Sequence, residues 1–470
     1  MKLKTILTFL YLTTSILVFS FFKAELLVWL SFFLNFLLLT GITYFHLNLE
    51  KTYSPFLTSF IVFFYLFCLV SPIIQISSFD GETSPFPQRF SYNNWDIIHA
   101  NFLIFTFCFV FFFTYLVFKK KYIVFQRKTL VSDTNKYFVP IVILILLFVC
   151  ISILAANFNY IIEDISTSVY GKKRESVFSL LMRKKFLFFV PLGGIVYTIN
   201  YLKRKNRINT NFIIAILSLM FFLALIFFFK NPFTEKRNAL GPIYIAIIYI
   251  FIPKLLNTNS KFFLFMFFSL VIVFPIMSTF THADATISEV INNPNLIVKS
   301  YLRFGGVSTA YQSLHYDAFA NIMATVDFVK LNGLSFGYQL LGTILFFIPR
   351  SFWTSKPLST GELVGNHLID EYGFNYNNLS NSIVSEGYIN FGFLGVIFYA
   401  VVLSYFIIFF MKWLRSGSFL KELMAFYFAV HLIFLLRGDL TNGFSYFIGP
   451  LFAVFLLPNL VDKLFKNLKL

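Results

Sequence analysis

Cationic side chains that could bind phosphate recur between residues 237 and 437, in a chain that is otherwise poor in charge. Only 13% of its 470 residues are charged. Arginine binds phosphate oxygens through paired hydrogen bonds, and lysine binds them as a mobile point charge. We therefore predict a site for an anionic, phosphate-bearing group, with the following cations as its candidates: Arg237, Arg303, Arg350, Lys356 and Arg437.

A carboxylate that could act as a general base follows these cations in the sequence. Glu386 stands next to Gly387, and glycine permits the close approach of another molecule. A carboxylate in such a place can take the proton of a hydroxyl group. It can equally cap a helix N-terminus, where the helix dipole favours negative charge. Asp317 is the next candidate base, followed by His315 or His367.

The composition shows what must hold these side chains in place. The chain is 58% hydrophobic with 70 Phe, and its mean hydropathy is +0.76. A soluble domain carries roughly a quarter of charged residues and less apolar content. Only lipid can cover so much apolar surface. The fold class is therefore an all-α polytopic membrane protein.

Apolar runs of sufficient length predict about 12 transmembrane helices, since a span needs about 20 residues. The first run follows Met-Lys-Leu-Lys but is too long for a signal peptide, and we interpret it as a retained span. The predicted spans are 4–22, 25–47, 55–78, 97–118, 137–157, 186–202, 210–229, 241–257, 262–281, 389–411, 420–436 and 443–461.

The distribution of charge predicts the orientation of these spans. With both termini in the cytoplasm, the predicted inner segments hold 21 of the 38 Lys and Arg but only four acidic residues. The whole net charge of +17 then falls on the cytoplasmic side, as the positive-inside rule requires. Membrane topology thus explains the basic composition, and no nucleic-acid partner is predicted.

One predicted external loop is much longer than a connector. We divide the chain into helices 1–9 (1–282), a large periplasmic loop (283–388), and helices 10–12 with a cytoplasmic tail (389–470). Within the loop, helical spacing near 316–329 and a short apolar run that ends at Pro349 predict short interfacial helices. Arg350 and Lys356 flank Trp353, so both cations could simply extend to the membrane–water interface.

Other kinds of site find no support in the sequence. Cys68, Cys108 and Cys150 all lie inside apolar runs and suggest neither disulfides nor zinc ligands. The chain has no phosphate-binding loop, no nucleophile elbow and no paired aspartates for a divalent metal. We predict neither a metal nor another cofactor.

Three stretches of the sequence resemble the bacterial O-antigen polymerases, the Wzy-type oligosaccharide repeat-unit polymerases. They are Phe346-Phe347-Ile348-Pro349-Arg350-Ser351-Phe352-Trp353 with Lys356-Pro357, Ser385-Glu386-Gly387-Tyr388-Ile389-Asn390-Phe391-Gly392, and Leu436-Arg437-Gly438-Asp439. The arrangement Asn231-Pro232 with Arg237 is also similar. The resemblance covers about residues 230 to 440.

This resemblance implies a C-type membrane glycosyltransferase of the bacterial inner membrane. It would act at the periplasmic face and join oligosaccharide repeat units linked to undecaprenyl diphosphate, with one lipid-linked chain as donor and another as acceptor. The five cations would stabilise the departing diphosphate without a metal, and Glu386, Asp317 or His315 would serve as the base. Membrane lipids are expected partners, and a chain-length regulator protein is left open.

Two other functions suit a chain with twelve spans. A lipid-linked oligosaccharide flippase would commonly show internal repeats, and the loop pattern of the first half is not echoed in the second. An O-antigen ligase would use the same membrane chemistry but a different acceptor. Only the resemblance separates a ligase from a polymerase.

Overall fold

All regular secondary structure is helical in the part of the chain that the computed structural model describes, which comprises the following residues. These are residues 2–77, 93–122, 139–159, 177–203, 208–230, 237–273, 314–375 and 377–457, together with 162, 289, 292–296, 298, 299, 311, 459, 460, 463 and 464.

Fifteen helices are named here in chain order, within those described residues. They are α1 (Leu3–Ser20), α2 (Leu26–Tyr44), α3 (Pro55–Tyr65), α4 (Asn94–Tyr122), α5 (Val139–Ala156), α6 (Val177–Leu202), α7 (Thr210–Phe229), α8 (Arg237–Phe251), α9 (Asn259–Phe268), α10 (Ala318–Asn332), α11 (Tyr338–Ile344), α12 (Thr360–Tyr372), α13 (Ile383–Leu414), α14 (Phe419–Arg437) and α15 (Leu440–Leu451). Four of them continue through π-helical turns, α2 to Leu49, α3 to Val70 and then as an α-helix to Ser77, α9 to Val273, and α15 to Leu456.

The lengths of these helices confirm a multi-pass membrane protein. Within the described residues, seven helices are long and apolar enough to cross a membrane, and five shorter apolar helices accompany them. Each predicted span overlaps one of these helices. The number of twelve crossings and the side on which the termini lie stay predictions.

Contacts between connections define two ends of the bundle. At the first end, the Tyr53 hydroxyl donates to the Leu256 carbonyl, and Lys119 Nζ lies 2.5 Å from Glu50 Oε1. We call it the basic end because the following lysines lie there: Lys51, Lys119, Lys120, Lys121, Lys254 and Lys261. At the opposite end, which we call the junction end, Lys330 Nζ lies 2.6 Å from Asp96 Oδ1.

Helix α3 lies at the centre of the bundle and is almost wholly buried. The Phe60 ring stacks on that of Phe111 in α4 at 3.9 Å, and the Ser59 hydroxyl donates to the Ala429 carbonyl in α14 at 2.5 Å. Large apolar side chains such as Phe9 and Phe148 point outward instead. This outward apolar surface is what a helix needs in order to face lipid.

The predicted external loop contains a helix that is packed inside the bundle. Residues 318–326 of α10 are buried, and the Phe319 ring lies 5.3 Å from that of Phe32 in α2. Helical spacing predicted this helix correctly. No pattern in the sequence predicted that it would be enclosed by α3, α4 and α13, which pack against it.

The apolar run that precedes Pro349 forms the short helix α11 and a series of turns. Phe336, just before α11, and Phe352, in the turns after Pro349, are 79% and 86% exposed. Exposed aromatic side chains on both sides of so short a helix suit an interfacial position. That position is the one predicted for the segment from its sequence.

Helix α13 consists of two parts that fold against each other. Phe391 and Gly392 break the helical geometry, and Gly392 has a φ of +62°, which favours glycine. The chain then turns back, so that Gly395 lies against Gly387. A Cβ atom on Gly395 would overlap the Gly387 carbonyl oxygen. The turn therefore holds the first two helical turns, which carry Glu386, beside the membrane-crossing part.

Candidate functional site

Four helices begin at one place at the junction end, and we call this place the junction. They are α10, α12, α13 and α15, and side-chain contacts join their first turns. Each helix N-terminus carries roughly half a positive charge from the aligned peptide dipoles. The junction therefore concentrates positive potential, and carboxylates are stabilised there.

Glu386 lies at the centre of the junction and is completely buried. Its Oε1 accepts hydrogen bonds from the Thr360 hydroxyl at 2.5 Å and from the Leu440 amide at 2.7 Å. Its Oε2 is buried and has no hydrogen-bond donor among the described residues. One oxygen thus joins α12 to α15, and the other is available as a proton acceptor.

The alternative capping role of Glu386 takes an unexpected form. Its own helix is capped by Ser382, whose hydroxyl accepts from the Ser385 amide at 3.3 Å. Glu386 instead caps α15, which begins 54 residues later, by accepting from Leu440. Capping is predicted from sequence within a single helix, so the sequence could not predict the contact between Glu386 and Leu440.

Arg437 and Asp317 form an ion pair beside the junction. Arg437 Nη2 lies 3.1 Å from Asp317 Oδ1, and the Ser380 hydroxyl donates to the same oxygen at 3.0 Å. The guanidinium also lies 5.8 Å from the centre of the Phe67 ring. The structure thus pairs Arg437 with a carboxylate 120 residues away.

Asp439 and Thr360 are junction residues that the sequence reading did not select. Asp439 caps α15 by accepting from the Asn442 amide at 2.7 Å and from its side chain at 2.8 Å. Burial raises the pKa of Asp439, and its hydrogen bonds to Asn442 partly offset this effect. Gly361 makes room chiefly for the Leu379 carbonyl, since a Cβ atom there would overlap the Leu379 oxygen and would lie 3.3 Å from Asp439 Oδ2.

An apolar groove leads along the bundle to Arg437. It has a volume of about 390 Å³ and lies between α8, α9 and α14. Tyr244, Met266 and Phe434 are among its lining residues, and Arg437 is the one charged residue of the lining among the residues that the structure describes. A groove of this kind suits a long apolar chain that ends in an anionic group, because lipid-like surface is followed by a guanidinium.

Comparison with known proteins identifies the segment that carries most of the junction. Residues 378–466 match the family model for the O-antigen polysaccharide polymerase Wzy. The resemblance predicted from the sequence is thereby confirmed for this C-terminal region. No curated protein and no solved structure matches the chain.

The matched Wzy segment contains α13, α14 and α15, and with them Glu386, Arg437 and Asp439. Asp317 and Thr360 come from the preceding segment and complete the junction. The groove likewise needs α8 and α9 from outside the matched segment. The matched segment therefore contains Glu386 and Arg437, whereas preceding parts of the chain supply Thr360 and Asp317, which contact them.

Two predicted phosphate ligands hold their own loop together. Arg350 donates to the carbonyls of Lys356 and Pro357, at 2.5 and 3.1 Å. Lys356 Nζ donates to the carbonyls of Phe346 and Ile348, at 2.7 and 2.9 Å. Partial burial and the nearby Arg350 lower the pKa of Lys356. Both cations have backbone partners here, and their role toward phosphate stays a prediction.

The remaining predicted residues lie apart from Glu386 or outside the described residues. His315 is half-buried in the 3₁₀ turn that precedes α10. His367 lies on α12, with its Nε2 3.0 Å from Asp327 Oδ2. Arg303 lies outside the described residues, as does the side chain of Arg237, which begins α8.

The described residues contain no group of three or more His, Cys, Asp or Glu side chains placed to hold a metal ion. The three cysteines are buried and unpaired. Whether the reaction requires a metal is not decided by this arrangement, and its independence of metal stays a prediction.

Proposed function

We propose that this protein is an oligosaccharide repeat-unit polymerase of the bacterial inner membrane. It would transfer a growing glycan from undecaprenyl diphosphate to a repeat unit carried by a second undecaprenyl diphosphate, at the periplasmic face. The observation that carries this proposal is Arg437. It lies at the head of an apolar groove and three residues before Leu440, whose amide donates to the buried Glu386, inside the segment that matches the Wzy family.

The donor lipid would lie with its isoprenoid chain in the groove and its diphosphate at Arg437. As the bond between the anomeric carbon and the diphosphate breaks, negative charge grows on the phosphate oxygens. A guanidinium that is already in place stabilises this charge without reorganisation. Asp317 pairs with the Arg437 guanidinium and Ser380 donates to the same oxygen of Asp317, so the two residues hold the guanidinium in position. We propose that Arg237, Arg303, Arg350 and Lys356 assist it.

The acceptor hydroxyl would attack the anomeric carbon and lose its proton to a base. We propose Glu386 for this role, because its Oε2 is a buried carboxylate oxygen without a donor among the described residues. Its Oε1 keeps the contact with the Leu440 amide while Oε2 takes the proton. The diphosphate leaves with the bonding electrons, and the new glycosidic bond forms at the acceptor oxygen. Asp317 is a weaker candidate because Arg437 already pairs with it.

The complete burial of Glu386 implies that the junction opens before the acceptor enters. Thr360 and α12 form one wall of the junction. Movement of α12 away from α13 would therefore expose Oε2 and leave Arg437 on α14 in place.

The test is complementation of a strain in which the gene has been deleted. We expect the deletion to leave a single repeat unit on the lipid core in a polysaccharide gel, and the wild-type gene to restore the ladder. Loss of all added sugar would contradict a polymerase and indicate a ligase or a flippase.

Arg437→Lys tests the phosphate site in the same strain. Lysine keeps the charge opposite Asp317 but lacks the planar fork. We expect polymerisation to fall by about 10²-fold at unchanged protein level in the membrane, as for the loss of one oxyanion donor. Arg415→Lys, the same exchange in an exposed residue at the basic end, is the matched control. A normal ladder in Arg437→Lys would exclude Arg437 from the site.

A further inference from the structure

A second polar cluster lies at the far ends of α10 and α12, away from the junction. Asp327 Oδ2 accepts from the Tyr372 hydroxyl at 2.7 Å and lies 3.0 Å from His367 Nε2. The Phe328 ring meets the His367 ring edge to face, with centres 5.5 Å apart. Burial and the neighbouring Asp327 raise the pKa of Tyr372 to about 12, so its hydroxyl stays protonated and donates.

The cluster continues onto the N-terminal turn of α4. Lys330, one turn beyond Asp327, pairs with Asp96 at 2.6 Å. The Asp327 side chain is 20% exposed and that of Lys330 is 52% exposed. We call Asp96, Asp327, Lys330, His367 and Tyr372 the distal cluster. It combines carboxylates, cationic and neutral donors and aromatic rings at an accessible surface.

The distance from the junction decides what this cluster can do. Both α10 and α12 start at the junction, and ten residues separate Asp317 from Asp327. At a rise of 1.5 Å per residue, this is about 15 Å. On α12, seven residues or about 10 Å separate Thr360 from His367. A base must come within hydrogen-bond reach of the hydroxyl that it activates, so His367 is too far from Arg437 to serve the reacting carbon.

We propose that the distal cluster is a subsite for the saccharide chain, several sugar rings away from the lipid diphosphate. This inference rests on the proposed function. Carboxylates accept hydrogen bonds from sugar hydroxyls, Lys330 can donate to sugar oxygens, and the buried His367 holds Asp327 in position. The Tyr372 ring offers an apolar surface for the carbon face of a sugar. A few placed polar groups beside aromatic rings are the composition of a small-molecule site.

The subsite would bind the glycan independently of its lipid carrier. A lipid anchor and a remote saccharide contact together hold the anomeric carbon at Arg437. Binding energy from such remote parts of a substrate can be used to orient the reacting bond.

The experiment measures two affinities of purified protein in nanodiscs. The first probe is the oligosaccharide released by mild acid from the lipid-linked repeat units of the source cells, and the second is undecaprenyl diphosphate without sugar. Asp327→Asn removes the charge and keeps the size of the side chain. We expect it to weaken oligosaccharide binding at least about tenfold, because a hydrogen bond to a charged group is lost. Binding of undecaprenyl diphosphate and the thermal midpoint should stay unchanged.

Glu25→Gln is the matched control, since it also neutralises a carboxylate and lies exposed at the start of α2 at the junction end. It should alter neither affinity. Unchanged oligosaccharide binding in Asp327→Asn would overturn the subsite. A joint fall of both affinities and of the thermal midpoint would also overturn it, because the cluster would then only hold α12 on α10. These binding measurements need no turnover. If the wild-type gene failed to restore the polysaccharide ladder in the deletion strain, that result would contradict the polymerase function and not the subsite.

Discussion

Two buried glutamates, one at each end of the bundle, differ in how their charge is compensated. At the basic end, Glu50 accepts from the Tyr115 hydroxyl and lies 2.6 Å from His46 Nδ1 and 2.5 Å from Lys119 Nζ. At the junction end, Glu386 has two neutral donors, both on Oε1, and no cation pairs with it among the described residues.

The difference separates a buried carboxylate that stabilises the fold from one that can react. Burial raises the pKa of Glu50, but His46 and Lys119 lower it by more, so that it lies below its ordinary value. Both oxygens of Glu50 have hydrogen-bond partners. A carboxylate in that state cannot readily accept a proton. Glu386 has a buried oxygen without a donor among the described residues, so chemistry is expected at the junction and stability is expected from the basic end.

Glu386→Gln should produce the largest effect of these variants. If it had no effect, the distinction between Glu386 and Glu50 would be wrong. Glutamine keeps an acceptor oxygen for Thr360 and Leu440 but cannot take a proton. We expect the initial rate of polymerisation in proteoliposomes to fall by about 10²- to 10⁴-fold, the usual contribution of a general base. The thermal midpoint serves as the folding control. A rate within threefold of the wild type would remove Glu386 from the mechanism.

Glu50→Ala should have the opposite profile. It leaves His46 and Lys119 without their carboxylate, and removal of one partner from a buried pair costs about 3 kcal/mol or more. We expect a large fall of the thermal midpoint in detergent, with near-normal turnover per folded molecule. Glu50→Gln, which keeps hydrogen-bond acceptance, should lose less. If Glu50→Ala abolished turnover in protein that is still folded, the basic end would not be purely structural.

Gly241→Leu should have the smallest effect and refines the comparison, because the groove leads only to the junction end. A Cβ atom on Gly241 meets nothing within 4 Å and would extend into the groove. We expect the KM for lipid-linked substrate to rise several-fold with an unchanged thermal midpoint. Gly41→Leu on α2 is the control, since its Cβ also meets open space. Equal KM values for the two variants would argue against a lipid in the groove.

The sequence alone predicted the helices with good accuracy, because hydrophobic runs and charge are local properties. Helix α7, for example, occupies residues Thr210–Phe229, the bounds of the predicted span. It also indicated Glu386 and Arg437 as reactive candidates, since charge is costly in an apolar chain and marks function. The stretch 385–392 was one of three that indicated a resemblance to Wzy-type polymerases, and the match over 378–466 confirms this resemblance for the C-terminal region.

Other parts of the site depend on contacts that no local pattern carries. The pairing of Arg437 with Asp317 joins residues 120 positions apart, and Thr360 meets Glu386 across 26 residues. Arg350 and Lys356 looked equivalent to Arg437 by type and position. Only the fold directs them to the carbonyls of their own loop.

By itself, the sequence determined a helical membrane protein, because its apolar content can be covered only by lipid and backbone groups in lipid must pair within helices. The tertiary structure alone decided that α10 enters the bundle and that four helix N-termini meet at Glu386. Gly392 and the close pair Gly387–Gly395 allow the chain to turn back at that point. Residues far apart in sequence meet there because packing, which is not local, chooses among many arrangements of similar helices.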